Sequence, residues 1–390
     1  MAIRKLQDVD CKNKIVVIRE DFNVPMKDGK ITNDKRIRAA LPTIRTALDK
    51  GAGVVLLSHL GRPTEGEYEE KFSLKPVAAH LGELLGKNVR LVARPEDAKA
   101  APGEIMLVEN IRFFKGEKKN ADELAANLAA LGDVYVMDAF GAAHRAHAST
   151  EGAVRKAKVS CAGPLMAAEL AAFDKVMENP ERPLAAIIGG SKVSTKLGLL
   201  ENLLKKVDSL IVGGGIANTF LAASGYGVGT SLYEPDLVPE ARKIIDEAKK
   251  AGKELPLPVD VVTAMELAPG QKVSVHPVDK VPADEMILDI GPETVKLYEK
   301  VLGNAKTVVW NGPVGAFEIE PFGAGTKALA EYLANSKAFV VVGGGDSVAA
   351  VESYGLADNM GYISTGGGAS LELLEGKILP SVAALEDAGK

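Results

Sequence analysis

The chain has 390 residues, of which 46% are hydrophobic and 25% charged, and its net charge is −5. That length exceeds one ordinary core and predicts two domains of a globular protein, while the negative balance argues against bulk attraction to nucleic acid. No apolar run reaches the ~18 residues of a membrane helix. Cys11 and Cys161 stand far apart with no CxxC pair, which argues against a disulfide framework or a cysteine zinc site and for a reducing compartment. The opening MAIRKLQDVD has no apolar signal core, so a cytoplasmic location is expected.

The distribution of charge says more than its sum. Eleven of the 13 arginines fall in residues 1–170, and 27 of the 40 glycines fall after them. Arginine forks grip carboxylate and phosphate with two prongs. The first half therefore reads as anion-gripping and the second as rich in backbone turns.

In chain order, KIVVIR (14–19) is the first predicted strand, and IREDFNVP (18–25) puts Arg19, Asp21 and Asn23 on alternate positions at its end. Strand alternation would point all three one way, although Asp-x-Asn is also turn chemistry. ITNDKRIRAA starts a helix with Asn33 or Asp34 as cap and Arg36 in the first turn. GVVLLS (53–58) runs into SHLGRP with His59 and Arg62, EIMLVE (104–109) into ENIRFF with Arg112, and DVYVMD (133–138) into DAFGAAHRAHAS with Asp138, His144, Arg145 and His147. Helices 34–50, 73–86 and 120–132 separate these strands. His144-x-x-His147 has metal-ligand spacing but no further ligands nearby; a polar loop, or an anion site using Arg145, explains it better. Within 161–183, Gly163-Pro164 and Asn179-Pro180 bracket an Ala-rich helix, which suggests a link between two lobes.

After the link, PLAAII, DSLIV, LPLPVDVV, KTVVW, AFVVV and MGYIS alternate with helical runs. Apolar strands alternating with helices indicate parallel sheets covered on both faces, with ligands at the carboxyl ends of the strands. Three such ends carry GGG, at 213–215, 343–345 and 366–368. A glycine turn opening a helix presents free N–H groups and the positive end of the dipole, which suits phosphate; tight turning alone would explain one such turn, but three in one half of the chain favour a ligand. In IIGGSKVSTKLGLLENLL, Lys192 and Lys196 are read as opening a helix on one face. Asp346 either caps its helix or meets Mg²⁺ on nucleotide phosphates. Trp310, the one tryptophan, reads as core. GxxxxGK[ST] and GxGxxG are both absent, so the P-loop and the common dinucleotide fold fit poorly.

Taken together, RxDxNVP at 19–25, SHLGRP at 58–63, ENIRF around Arg112, GGSKVSTK at 189–196, WNGPVGAFE at 310–318, GGGDSV at 343–348 and STGGGASLELLEGK at 364–377 resemble the phosphoglycerate kinases of bacteria over essentially the whole chain. The resemblance implies an α/β protein of two lobes, each a parallel sheet flanked by helices in Rossmann-like three-layer fashion. The lobes would be 1–168, joined by the returning 375–390, and 183–374, with a hinge over 169–182. It implies reversible phosphoryl transfer between 1,3-bisphosphoglycerate and ADP, giving 3-phosphoglycerate and MgATP. Asp21, Phe22, Asn23, Arg36, His59, Leu60, Gly61, Arg62, Arg112 and Arg145 would bind 3-phosphoglycerate. Lys192, Lys196, Gly214, Glu318, Gly344, Gly345, Asp346 and Ser347 would bind the nucleotide, with Asp346 near Mg²⁺. Arg36, Lys192, Gly367 and Gly368 would serve the transfer itself. The expected partners are these small molecules, with no nucleic acid or membrane, and the expected state is a monomer. A nicotinamide oxidoreductase would need the missing GxGxxG. A hinged anion-binding protein would explain the arginines but not Lys192, Asp346 and the glycine turns.

Overall fold

The computed structural model describes residues 3–390. The chain divides into two compact units, Met1–Ala171 with Ile378–Lys390, and Ala172–Lys377. Helix Pro164–Met177 carries the division.

In the first unit, β1 (Ile15–Arg19) is followed by a short hairpin, β2 (Met26–Lys27) with β3 (Lys30–Ile31). Then come β4 (Gly53–Leu57), β5 (Val89–Val92), β6 (Ile105–Val108), β7 (Val134–Met137) and β8 (Ser160–Ala162). The main sheet has the order β5-β6-β4-β1-β7-β8, all parallel. Its central strands are buried throughout, as their unbroken Val/Ile/Leu runs require when both faces are covered. Helices Lys35–Asp49 and Lys75–Leu85 lay apolar stripes on this core through Ile37, Ile44, Val77 and Leu81. Helix Pro380–Ala388, near the end of the chain, packs on the same unit: Ser381 N donates to the Ala143 carbonyl at 3.2 Å, and Arg155 pairs with Asp387 at 2.8 Å.

The second unit contains β9 (Leu184–Ile188), β10 (Ser209–Val212), β11 (Asp260–Ala264), β12 (Ser274–Pro277), β13 (Met286–Ile290), β14 (Thr307–Asn311), β15 (Phe339–Gly343) and β16 (Tyr362–Ile363). Five of these form a parallel sheet, β10-β9-β14-β15-β16. The other three form an antiparallel sheet, β12-β11-β13. Trp310 is fully buried in the core of this unit and donates Nε1 to the Gly312 carbonyl at 2.8 Å. Both parallel sheets match the expected fold class. The antiparallel sheet is an addition to it.

Candidate active site

In the first unit, the turns that follow β1, β4, β6 and β7 converge. After β1, Phe22 is buried and its N–H donates to Ser58 Oγ at 2.8 Å, while Asn23 Oδ1 accepts from Gly61 N at 2.9 Å. Asp21 and Asn23 thus stand at the mouth of the β4 turn. Gly61 has φ +60°, and a β-carbon there would run into the Phe72 ring, so this position requires glycine. After β6, Asn110 Nδ2 donates to the Leu60 carbonyl at 2.7 Å, and Arg112 Nη1 to the Gly61 carbonyl at 2.7 Å. The turn is held by backbone–side-chain bonds, which leaves His59 and Arg62 placed beside Arg112.

The electrostatics of this cluster favour an anion. Arg112 is 5% exposed and its Nε has no partner. Burial and the neighbouring Arg145 and Arg19 charges push its pKa down to about 10, so it stays charged at neutral pH without full compensation. His147 is pushed down to about 4, first by burial and then by the Arg112 charge. Glu117 is buried and raised by that burial, while the Arg19 charge draws it back. Arg36, in the first turn of helix Lys35–Asp49, and the exposed Arg145 add their charges at this site, and the exposed Arg62 follows Gly61 in the β4 turn.

Arg19 departs from the expected alternation. It does not point with Asp21 and Asn23; it is 1% exposed, with Nε on Ser149 Oγ at 2.8 Å. The strand ends at Arg19, so strand alternation does not extend to residues 21 and 23. The interior offers its guanidinium three acceptors. Asp34 occupies the N-cap of helix Lys35–Asp49 but makes no side-chain cap bond; Asn33 Oδ1 instead accepts from Lys35 N at 3.0 Å.

In the second unit, the turns after β9, β10, β14 and β15 line a cavity of about 650 Å³ that includes Gly190, Gly214, Leu288, Pro313, Glu318 and Asp346. The three glycine turns do not share one reason. At Gly214, φ is +65° and a β-carbon would lie 2.7 Å from the Gly190 carbonyl oxygen; at Gly215 it would overlap the Ser191 carbonyl. At Gly213 it would overlap Val314, so the close approach of neighbouring turns explains the 213–215 glycines. By contrast, a β-carbon at Gly345 or Gly367 would meet nothing within 4 Å, so no protein atom demands glycine through crowding there. Helices Gly345–Ser353 and Gly368–Leu374 begin beside these open positions, and Ser347 is buried, its hydroxyl bonded to the Gly343 carbonyl at 2.6 Å.

The lysines also depart from expectation. The helix begins at Leu197, not at Lys192, so the two lysines do not share a helical face. Val193 is fully buried between them and Thr195 Oγ1 bonds the Lys192 carbonyl at 2.9 Å, which makes 192–195 a turn. Lys192 is exposed. Lys196, at the N-cap, is drawn inward and donates Nζ to the Gly189 and Asn311 carbonyls at 2.6 and 3.1 Å. Burial lowers its pKa to about 8, against the raising effect of Asp346. Asp346 is exposed and sits in the first turn of its helix, where Gly344 is the N-cap, so the capping alternative does not hold. Among the described residues, no group of three or more His, Cys, Asp or Glu is arranged to hold a metal, His144 and His147 included. No helix of the described residues is long and apolar enough to cross a membrane.

The sequence profile of the family described as phosphoglycerate kinase matches residues 6–377. A phosphoglycerate kinase of Desulfovibrio desulfuricans is 74% identical over 387 residues, covering 99% of this chain and 100% of the relative. One from Nitratidesulfovibrio vulgaris is 60% identical over 388 residues, with 99% of both chains covered. Among solved structures, phosphoglycerate kinase from Coxiella burnetii superposes with a TM-score of 0.97 at 52% identity over 100% of both chains. The enzyme from Pyrococcus horikoshii superposes at 0.83 with 33% identity over 99% of both.

Proposed function

Because the chain belongs to the phosphoglycerate kinase family, we propose that its two sites divide one reaction between them, the acceptor on the first unit and the nucleotide on the second. The chain is a phosphotransferase with a carboxyl group as acceptor, a phosphoglycerate kinase activity of glycolysis and gluconeogenesis. It moves phosphoryl reversibly between 1,3-bisphosphoglycerate and ADP. The division into residue roles is our reading. Asp21, Asn23, His59, Arg62, Arg112 and Arg145 bind 3-phosphoglycerate, and Phe22, Leu60 and Gly61 shape its seat. The observation that carries this assignment is Arg112, sunk to 5% exposure with an unpartnered Nε amid further arginines. Such a guanidinium is completed by an anion.

On the second unit, Lys192, Lys196, Gly214, Glu318, Gly344, Gly345, Asp346 and Ser347 serve the nucleotide. Open Gly345 and Gly367 admit phosphate oxygens to bare backbone N–H groups. Mg²⁺ typically takes one or two carboxylates plus phosphate oxygens and water. A lone exposed Asp346 beside a glycine turn fits an ion carried by the nucleotide, which when bound neutralises phosphate charge.

The attacking group is a carboxylate, already ionised at neutral pH, so no general base is needed. Arg36, Lys192 and the Gly367–Gly368 helix start then act by alignment and by neutralising charge on the moving phosphoryl. In-line transfer needs the reacting atoms about 3–3.5 Å apart with water excluded. We therefore read the 169–182 link as a hinge about which the loaded enzyme closes. We read the working state as a cytoplasmic monomer. A coupled assay of ATP-dependent 3-phosphoglycerate phosphorylation with Mg²⁺ tests the reading; no turnover in either direction would reject it.

A further inference from the structure

His59 follows β4 by two residues and is 5% exposed. Its Nδ1 lies 3.2 Å from Nη2 of Arg19. A guanidinium has five N–H donors, no acceptor, and a charge it does not lose at working pH. This contact therefore has one polarity: Arg19 donates and Nδ1 accepts. A ring nitrogen that accepts carries no proton, so the proton of the neutral ring is on Nε2. Nε2 has no hydrogen-bond partner among the described residues.

Arg19 is itself immobilised. Its Nε donates to Ser149 Oγ at 2.8 Å and its Nη1 to the Glu20 carbonyl. Ser149 passes the contact on, its Oγ donating to Glu117 Oε1 at 2.5 Å and its N to Oε2 at 2.9 Å. Glu117, 1% exposed, is the buried counter-charge of this chain. Its other neighbour, His147 Nδ1 at 3.9 Å, is held neutral by burial and by the surrounding arginines. The charges of Arg112, Arg145 and Arg36 act on the His59 ring from three further segments, and burial, then all four arginine charges, disfavour its protonation.

We infer that Arg19 is a positioning residue, which fixes His59 as the neutral tautomer that offers Nε2–H to an anionic oxygen of the acceptor substrate. The inference rests on the reading of His59 as a ligand of 3-phosphoglycerate. Its consequence is a donor whose state does not change between pH 5.5 and 8, where a free imidazole with a pKa of about 6.5 would titrate. Neither a flipped tautomer nor an imidazolium competes with the binding geometry.

The test begins with the ligand-free, ¹⁵N-labelled full chain, so it does not depend on the substrate reading. Two-bond ¹H–¹⁵N correlations, with His59 assigned by its loss in His59→Gln, should show a bare Nδ1 and a protonated Nε2 across pH 5.5–8. A protonated Nδ1 at pH 7 would overturn the inference without any variant. In Arg19→Met, burial and the remaining arginines still keep the ring neutral, but with no donor facing Nδ1 the proton should be shared between the two ring nitrogens, and KM for 3-phosphoglycerate should rise on the order of tenfold, with kcat less affected. Arg19→Lys, which restores a charged donor, should recover the tautomer. An Arg19→Met protein with the wild-type tautomer and an unchanged KM would reject the assignment, as would a His59→Gln enzyme whose KM is unchanged. Turnover in the same assays tests the functional reading separately.

Discussion

Arg36 Nη1 donates to both carboxylate oxygens of Asp21, at 3.1 Å each, and to the Asn23 carbonyl at 3.1 Å. A neighbouring carboxylate thus neutralises it before any substrate arrives. Arg62 is exposed and has no hydrogen bond or ion pair among the described residues. The two arginines should therefore fail differently. Arg36→Ala should lower kcat by ~10³–10⁵, as loss of an arginine finger does, whereas Arg62→Ala should raise KM for 3-phosphoglycerate more than it lowers kcat. Steady-state kinetics separate them, and a drop in kcat under about tenfold for Arg36→Ala would refute its role in transfer.

Asp346 should matter to one substrate alone. Asp346→Asn keeps shape and loses charge at an exposed position. KM for the Mg-nucleotide should rise while KM for 3-phosphoglycerate stays put, since an amide is a weaker, uncharged ligand for Mg²⁺ than a carboxylate. Equal loss for both would make Asp346 a fold residue.

Lys196 should impose an alkaline limit. Its pKa is lowered to about 8 by burial, so the free enzyme loses this ammonium as pH rises through 8. kcat/KM for the nucleotide reports the free enzyme and should decline across that pH. kcat should hold to higher pH, because bound phosphates favour the charged form. In Lys196→Met the break should disappear, and its persistence there would assign it to another group.

Glu20 should make the fold less stable as pH rises. Its side chain is fully buried, neither oxygen accepts from an N–H or hydroxyl donor, and it lies in hydrogen-bond contact with the Asp138 carboxyl. Asp138 already accepts from Thr43 Oγ1 at 2.5 Å and Met166 N at 3.1 Å. Two touching carboxyls require a shared proton, and burial first, then the Asp138 charge, raises Glu20 well above the ordinary 4.5. The native state therefore keeps a proton that the unfolded chain releases, and stability falls as pH climbs from 4.5 toward the folded value. Glu20→Gln should raise Tm at pH 8 and leave it nearly unchanged at pH 5. An equal shift at both would remove the shared proton.

Closure should need both ligands. A ligand shifts a conformational equilibrium only through contacts it makes better in the favoured state. Small-angle scattering should give a smaller radius of gyration with 3-phosphoglycerate and nucleotide together than with either alone. Equal radii in free and doubly liganded protein would reject the hinge.

The fully buried parallel strands were legible because nothing polar interrupts them. β5 was not, since VRLV carries Arg90 with an exposed face, and β8 has three residues. The antiparallel sheet escaped because SVHP has no fully buried residue and contains a proline. Asp21, Asn23, His59, Arg62 and Arg112 were legible as residues at strand ends. What the letters withheld was direction. Arg19 looks like a third member of an alternating set until the interior acceptors Ser149 and His59 are known. Lys196 looks like a helix-face partner of Lys192 until the helix begins at Leu197 and two backbone carbonyls draw its Nζ inward. Ser149, His59 and Asn311 among these partners are all far off in sequence.

The polypeptide begins in one unit, leaves it within helix Pro164–Met177, and returns for its last 13 residues, Ile378–Lys390. On the ribosome this reverses the usual order in which domains are finished. The Ala172–Lys377 unit is one unbroken stretch and has all its residues as soon as it emerges. The other unit emerges first but lacks Leu379, Ala384 and Leu385, all buried, until the second unit has been made in full. The nascent chain thus carries an incomplete first unit, with its apolar seat for the last helix uncovered, through the synthesis of the entire second one. A chain truncated before Ile378 would contain every residue assigned to either substrate and still lack part of its own core.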